Sequence, residues 1–453
     1  MKEIRVLSAT SVLGSGFVED SLRRGLERDP HFIGCDGGST DPGPYYLATG
    51  NTAFSSRAMY RDLRLLVLAG KQRGIPVMIG SCGTGGADAQ VDVVLGLLRR
   101  IAAEEKIKLK VAIFYSEQDK RYLKQKLASN ELVPLENAPP ISGDIIDASV
   151  RIVGMAGAEA FQHALEGRPD VVIGGRASDT AIFSALPLRE GITPGVCWHA
   201  AKVLECGAAA TKRRKTPDCL FATLRPDHFI IEPLDPDLQC TPQSIASHAL
   251  YENADPEEIV EPGGVLHIRD ASYEAVSAAA VKVTGSEFTP GPYTVKLEGV
   301  ERAGWESVLI GSIRDPFIIA EIDDWVARLK EAVARRAAGV LAAGQKWEML
   351  VKIYGKNGTM GALEPTPVVE GHEIVLVFEI LAPDQETVHS LASIVRHQAL
   401  HLPIKKWSGL ITSVAFLYNP AHLDRGELYR FNLKHVVKPK SPLEMFRFDE
   451  AVL

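Results

Sequence analysis

Three features of the sequence predict an α/β fold: a layered, mostly parallel sheet with flanking helices, joined to a smaller α+β domain. Short β-branched runs alternate with segments of helical periodicity through the first half of the chain. Runs ending near Cys35, Gly80 and Gly174 each lead into a glycine-rich turn, the arrangement by which α/β sheets gather loops at one edge. Near Gly344 the alternation gives way to four strand-like runs and one amphipathic helix, so domains are expected at 1–345 and 346–453. With 453 residues, both can bury a core.

Taken in order, Ile4 to Leu7 reads as a strand and Val18 to Leu26 as a helix with apolar positions three to four apart. Phe32 to Cys35 is a second strand, and Asp36 to Pro44 is too rich in Gly and Pro to continue it. Ser56 to Gly70 is helical. Ile75 to Ile79 is a strand feeding Gly80-Ser-Cys-Gly-Thr-Gly-Gly-Ala-Asp88, which opens a helix to Glu105. This turn has neither the dinucleotide fingerprint nor the Lys-Ser/Thr of an ATP-type loop. Lys110 to Tyr115 is a strand, Lys120 to Leu127 a helix, Leu132 to Ile145 a loop and Arg151 to Leu165 an alanine-rich helix. Val171 to Ile173 is a strand, residues 196–209 a helix, and 217–224 and 228–232 are strands. Further strands are expected at Tyr293 to Leu297 and Ser307 to Ile310, the second ending in a loop with Arg314 and Asp315. In the second domain, Met349 to Tyr354, Glu373 to Ile380, Leu410 to Leu417 and Leu428 to Val436 read as strands, and Gln385 to Leu400 as a helix.

Composition narrows the function classes. Hydrophobic residues make up 46% and charged residues 24%, an ordinary globular balance. A net charge of −7 argues against a partner bound through nucleic-acid phosphates, and the one basic run, Lys212 to Lys215, reads as a solvated loop. The six cysteines show no Cys-x-x-Cys spacing and read as reduced thiols of a cytoplasmic protein. No apolar run approaches the ~20 residues of a membrane helix.

Chemistry is expected around Asp170-Val-Val-Ile-Gly-Gly-Arg-Ala-Ser-Asp-Thr-Ala-Ile-Phe183. Gly174 and Gly175 permit a tight turn, Ser178 or Asp179 can start the next helix, and Arg176 falls at the strand's carboxyl end, where helix N-termini attract anions. The alternative is an arginine that pairs with a structural carboxylate. Gly83, Thr84, Gly85 and Gly86 form a second turn able to cradle an anion with backbone N–H groups. Asp36, Ser39, Thr40 and Asp41 can hold a substrate hydroxyl or a divalent ion, or simply cap a helix or make Asx-turns. Cys82, read as lying at a helix start, would have its thiolate stabilised, and Cys35 is expected close by. Lys356, in Gly355-Lys-Asn-Gly358, and Arg314 are further candidates. His397 and His401 share a helix face, which suits a metal or merely the helix dipole; no metal site is assigned.

The stretch Asp170 to Ala181, followed by His199 and Leu204-Glu-Cys-Gly-Ala208, resembles the signature of the acyclic terpene utilisation (AtuA) family. Ile75 to Asp88 is similar to that family's second glycine-rich turn, and Val295 to Pro316 to its Lys-x-Glu-Gly and Arg-Asp-Pro segment. The resemblance implies an AtuA domain fused here to the small AtuA-like module of ferredoxin-type fold. Ser81-Cys-Gly-Thr-Gly-Gly86 departs from the family's Asn-Ala-Gly type of turn, which points away from a terpene-specific role.

These readings converge on a cytoplasmic catabolic enzyme that takes a proton from the carbon beside a carbonyl, in a lyase, hydratase or isomerase step on a small carboxylic acid or acyl-CoA thioester. Arg176 and the turns at 83–86 and 174–175 would bind the anion, Asp179 or Cys82 would act as acid or base, and Ser178, Asp36 and Lys356 would assist. No cofactor is expected, CoA entering only as part of a substrate, and a homo-oligomer is compatible with the sequence. The competing expectation is a non-catalytic ligand-binding or scaffold subunit.

Overall fold

The computed structural model describes residues 3–213, 216–251, 253, 255–366, 368–405 and 413–453. Arg214 and Lys215 of the basic run, and 410–412 of the strand expected at 410–417, lie outside the described residues. The chain forms two compact units, residues 1–301 with 431–453, and residues 302–430. The expected boundary at 345/346 is displaced for two reasons. Tyr293–Leu297 and Ser307–Ile310 belong to one continuous strand, Val295–Ile313, whose residues divide between the units. The C-terminal strand Arg447–Val452 belongs to the first unit, paired antiparallel with Lys110–Tyr115.

In the first unit, five parallel strands form the middle of a ten-stranded sheet, in the spatial order Ile4–Ser8, Phe32–Asp36, Val77–Gly80, Val171–Gly174, Lys110–Tyr115. Antiparallel strands extend it on both sides: Leu220–Arg225, His228–Pro233, Val281–Thr284 and Ser272–Ala275 beyond the first, and Arg447–Val452 beyond the last. The sheet is therefore mixed, where a mostly parallel one was expected. Only Pro226 and Asp227 separate Leu220–Arg225 from His228–Pro233, too short a link for the crossover that parallel pairing requires.

Side-chain alternation explains why the parallel strands read as apolar runs. Ile33, Ile79 and Ile173 enter one core cluster while Phe32, Met78 and Val172 enter the other, so both sheet faces are covered. The helix expected over Arg151–Leu165 is instead a strand, Ser149–Gly154, followed by a shorter helix, Ala158–Ala164. Alanine content favoured helix, but Val150, Ile152 and Val153 suit a strand, and the strand finds an antiparallel partner in the first part of Val295–Ile313. The supposed loop 132–145 holds the strand Leu132–Pro134 and the start of the helix Gly143–Ala148.

The main elements of the second unit run strand, helix, strand, strand, helix, strand: the later part of Val295–Ile313, Ile322–Ala338, Glu348–Tyr354, Ile374–Ala382, Gln385–His401 and the start of His422–Val437, with the short helix Pro316–Ala320 and the short strand Ala415–Phe416 between them. Ile374–Ala382 lies between Glu348–Tyr354 and Val295–Ile313 and is antiparallel to both. Its core joins Leu309, Trp325, Phe378, Val388 and Leu391. Buried Val388, Leu391, Ala392, Val395 and Ala399 account for the amphipathic period of Gln385–His401. Among the described residues no helix is long and apolar enough to cross a membrane.

Candidate functional site

Three parallel strands deliver Asp36, Ser81 and Arg176 to one carboxyl edge of the first unit's sheet. Their turns are stitched together by the backbone: Gly37 N–H donates to Gly80 O (2.8 Å), Ser81 N–H to Gly175 O (2.9 Å), Thr84 N–H to Gly37 O (3.1 Å) and Arg176 N–H to Gly86 O (3.0 Å). Such close approach needs glycine. A Cβ on Gly86, whose φ is +67°, would fall 2.2 Å from Arg176 N, and one on Gly174 would fall 2.0 Å from Phe114 Cζ. Thr84 holds a φ of +107°, costly for a β-branched residue, so the turn at 81–86 carries strain.

Arg176 is 5% exposed. Its Nε donates to Glu298 Oε2 (2.7 Å), and its Nη1 to Ser81 Oγ (3.1 Å), Ala177 O (3.1 Å) and Asp179 Oδ1 (3.3 Å). Burial works against the guanidinium charge, but Glu298 and Asp179 more than offset it. Against its own burial, Glu298 is held down to about 2 by Arg176 and Lys296. The structural-carboxylate alternative therefore has a concrete partner in Glu298.

Around this pair lies a cluster of carboxyl groups. Asp36, at its strand end, is 5% exposed and its Oδ1 has no partner among the described residues. Burial and the charge of Asp179 push its pKa well up, against the Gly38 N–H and Arg176. Glu205 is pushed up to about 8 by burial, against the attraction of Lys202, whose Nζ donates to Glu205 Oε1 at 2.6 Å. Glu261 is pushed up to about 7 by burial although Thr180 Oγ1 (2.7 Å) and Ser178 Oγ (2.9 Å) both donate to it. Asp179 connects the set, since its charge raises the pKa of Asp36, Glu205 and Glu261. Its side chain is 27% exposed and gives the cluster a link to solvent.

Lys202, Glu205, Glu261, Glu298, Ser81 and Thr180 escaped the sequence reasoning as site residues. A signal existed for two of them: Lys202 and Glu205 interrupt Ala200-Ala-Lys-Val-Leu-Glu205, where every other side chain is a core type. Buried charges seldom occur unpaired, which marks such interruptions.

Several expected groups behave otherwise. Cys82 is fully buried in an apolar cluster, its thiol directed to Ile79 O (3.8 Å) and pushed by burial up to about 12. Its helix starts only at Asp88, so no helix N-terminus stabilises a thiolate there. Cys35 is likewise raised, by burial first and then by Asp36. The anion cradle at 83–86 is filled from within: Gly85 and Ala87 N–H donate to Gln90 Oε1 (3.1 and 3.0 Å), while Thr84 Oγ1 accepts from Ala53 N–H (2.9 Å). Gly175 N–H is spent on Phe114 O (2.8 Å), and Gly83 packs against Gln90. These glycines permit close packing, and the N–H groups of Thr84, Gly85 and Gly175 are taken up within the protein rather than left open to an anion.

Ser39 and Asp41 close on each other, Ser39 Oγ donating to Asp41 Oδ2 at 2.8 Å, and Thr40 is buried. Lys356 and Arg314 belong to the second unit, where both line a groove of about 860 Å³ and Lys356 pairs with Asp323. Asp315 caps the helix Pro316–Ala320 through the N–H groups of Phe317 and Ile318. His199, buried between Ser286 Oγ (2.7 Å) and Tyr273 OH (3.3 Å), is pushed down to about 3 by burial and stays neutral.

Fold and site together define a mixed α/β protein with a buried, carboxyl-rich cluster at the carboxyl edge of its parallel strands. The sequence model of the acyclic terpene utilisation family protein AtuA matches residues 54–211 and 228–413. The chain belongs to that family. The match takes in Arg176, Asp179, Lys202, Glu205, Glu261 and Glu298, while Asp36 precedes it. No curated protein and no solved structure matches the chain.

Proposed function

We propose that the protein is a catabolic enzyme that moves a proton at the carbon beside a carbonyl of a small carboxylic acid or acyl thioester, as a lyase, hydratase or isomerase. One observation carries this reading: Glu205 and Glu261, raised to about 8 and about 7, flank Asp179 within one cluster. General acid–base catalysis works best with groups that titrate near the operating pH, and two environments that drive carboxyl groups apart divide the acid and base roles. Asp179, ion-paired to Arg176 and reaching solvent, is the base. Glu261, aligned by Ser178 and Thr180, returns the proton. Arg176 and Asp36, whose Oδ1 has no partner among the described residues, orient the substrate's polar groups. CoA enters only as part of a substrate. No cysteine forms a disulfide among the described residues, which supports a reducing cytoplasm, and the order of the second unit's main elements and their antiparallel pairing support the ferredoxin-type reading of that module.

Incubation in D₂O with hydroxy acids, unsaturated dicarboxylates and CoA thioesters, followed by NMR, tests this. Deuterium should enter next to a carbonyl of one class, and Asp179→Asn should abolish the exchange without unfolding the protein. A second reading, a non-catalytic ligand-binding or scaffold subunit, is favoured by the internal pairing of Arg176 with Glu298 and Lys202 with Glu205, which stabilises a fold as readily as it shifts pKa values. It requires binding of a ligand with no exchange in any member of the panel.

A further inference from the structure

We propose that the second unit binds one transition-metal ion of the zinc class through His389, His422 and Asp424, at a site that plays no part in the acid–base cluster described above. One ligand atom from each of the three lies within 4.8 Å of the others. That span closes onto an ion at the ~2.0–2.2 Å distances zinc takes from imidazole and carboxylate with small side-chain rotations.

The elements bring the three together by their own periods. His389 is on the helix Gln385–His401, four residues after Gln385 and so on the same face. His422 and Asp424 alternate on the strand His422–Val437, which puts both on one side of it. The imidazoles of His389 and His422 are 5.1 Å apart between centroids.

The carboxylate is held for the task. Asp424 Oδ1 accepts from Ser307 Oγ (2.5 Å) and Gln385 Nε2 (3.1 Å), leaving Oδ2 facing His389 Nε2 at 2.8 Å. Anchoring one oxygen while the other points at an imidazole is what an outer shell does for a ligating carboxylate. Gln385 Nε2 also lies 2.8 Å from His389 Nε2.

Two nitrogens and one oxygen suit Zn²⁺, Co²⁺ or Ni²⁺ better than Mg²⁺ or Ca²⁺, which take oxygen sets. Three protein ligands also leave a coordination position open. A groove of about 610 Å³, lined by His422, Arg396, Tyr418 and Asn419 among others, provides an approach for an ion and its exogenous ligand. The competing account is a simple ion pair between a protonated His389 and Asp424, in which His422 has no role.

Full-length protein stripped with EDTA and titrated with Co²⁺, followed by visible absorption, separates the two. One equivalent should bind with d–d bands, and Zn²⁺ should displace it and raise the unfolding temperature. His422→Gln and Asp424→Asn, at solvent-reaching positions, should each weaken binding at least ~10- to 100-fold. A double variant, His397→Ala with His401→Ala, removes another histidine pair of the same helix and should leave binding unchanged. Absence of stoichiometric Co²⁺ uptake by the wild type overturns the proposal, and so does unaltered affinity in a folded His422→Gln.

Discussion

Two ion pairs, one from each unit, use similar chemistry to different ends. Arg176 and Glu298 in the first unit have side chains 6% and 8% exposed; Lys356 and Asp323 in the second are 15% and 75% exposed. Water screens the second pair, so it ties a turn to a helix and contributes little. The first pair must neutralise itself, and its surplus of carboxyl groups answers by holding protons near neutral pH. Burial, more than residue type, therefore separates a group that can exchange protons from one that decorates a surface.

The largest test removes one partner of the buried pair. Arg176→Ala should destabilise the protein by ~3–5 kcal/mol because Glu298 stays buried with only the half-exposed Lys296 to balance it. Denaturant unfolding measures it, and a loss below ~1 kcal/mol, the range of a surface pair, would erase the contrast between the units.

A pH series sharpens the same contrast. Glu261 is raised from 4.5 to about 7, so between those values the folded state keeps a proton that the unfolded chain has released. Stability then falls as pH rises through that window, by at most ~1.4 kcal/mol per pH unit from this group. Glu261→Gln should flatten that slope and gain most relative to wild type above pH 7. Glu298 has the opposite sign: its contribution is present above 4.5 and is lost as pH falls through about 2, so the two windows do not overlap. An unchanged slope between pH 4.5 and 7 in Glu261→Gln would contradict the assignment.

Gly174→Ala should cost ~1–3 kcal/mol through overpacking against Phe114, and a thermal melt reads it. Neutral behaviour would mean that the turn supporting Arg176 is looser than its contacts imply. The smallest effect belongs to Lys356→Ala, expected to change stability by less than ~1 kcal/mol. A larger loss would show that the exposed pair does more than hold a turn.

Much of the fold was legible because its signals are local. Lys110–Tyr115, Val171–Gly174 and Gln385–His401 fall where periodicity and β-branching put them. Arg151–Leu165 was misread because composition outweighed three β-branched residues whose strand partner lies far along the chain, at Leu297 to Glu301. Arg176, Asp179, Ser178 and Asp36, singled out from a strand, a glycine turn and a helix start, lie in or beside the same carboxyl cluster. Cys82 was misjudged because its turn precedes the helix by several residues and faces the core.

The sequence by itself determined the family, the alternation that builds the sheet, and the turn that carries Arg176, since each is written in neighbouring residues. Only the tertiary structure decided what that arginine meets. Glu298 is 122 residues away from it, and Glu261 is 83 residues from Ser178. No spacing rule reaches that far, and the charge state of a buried group depends on the water it loses and the partners it gains when the chain closes around it.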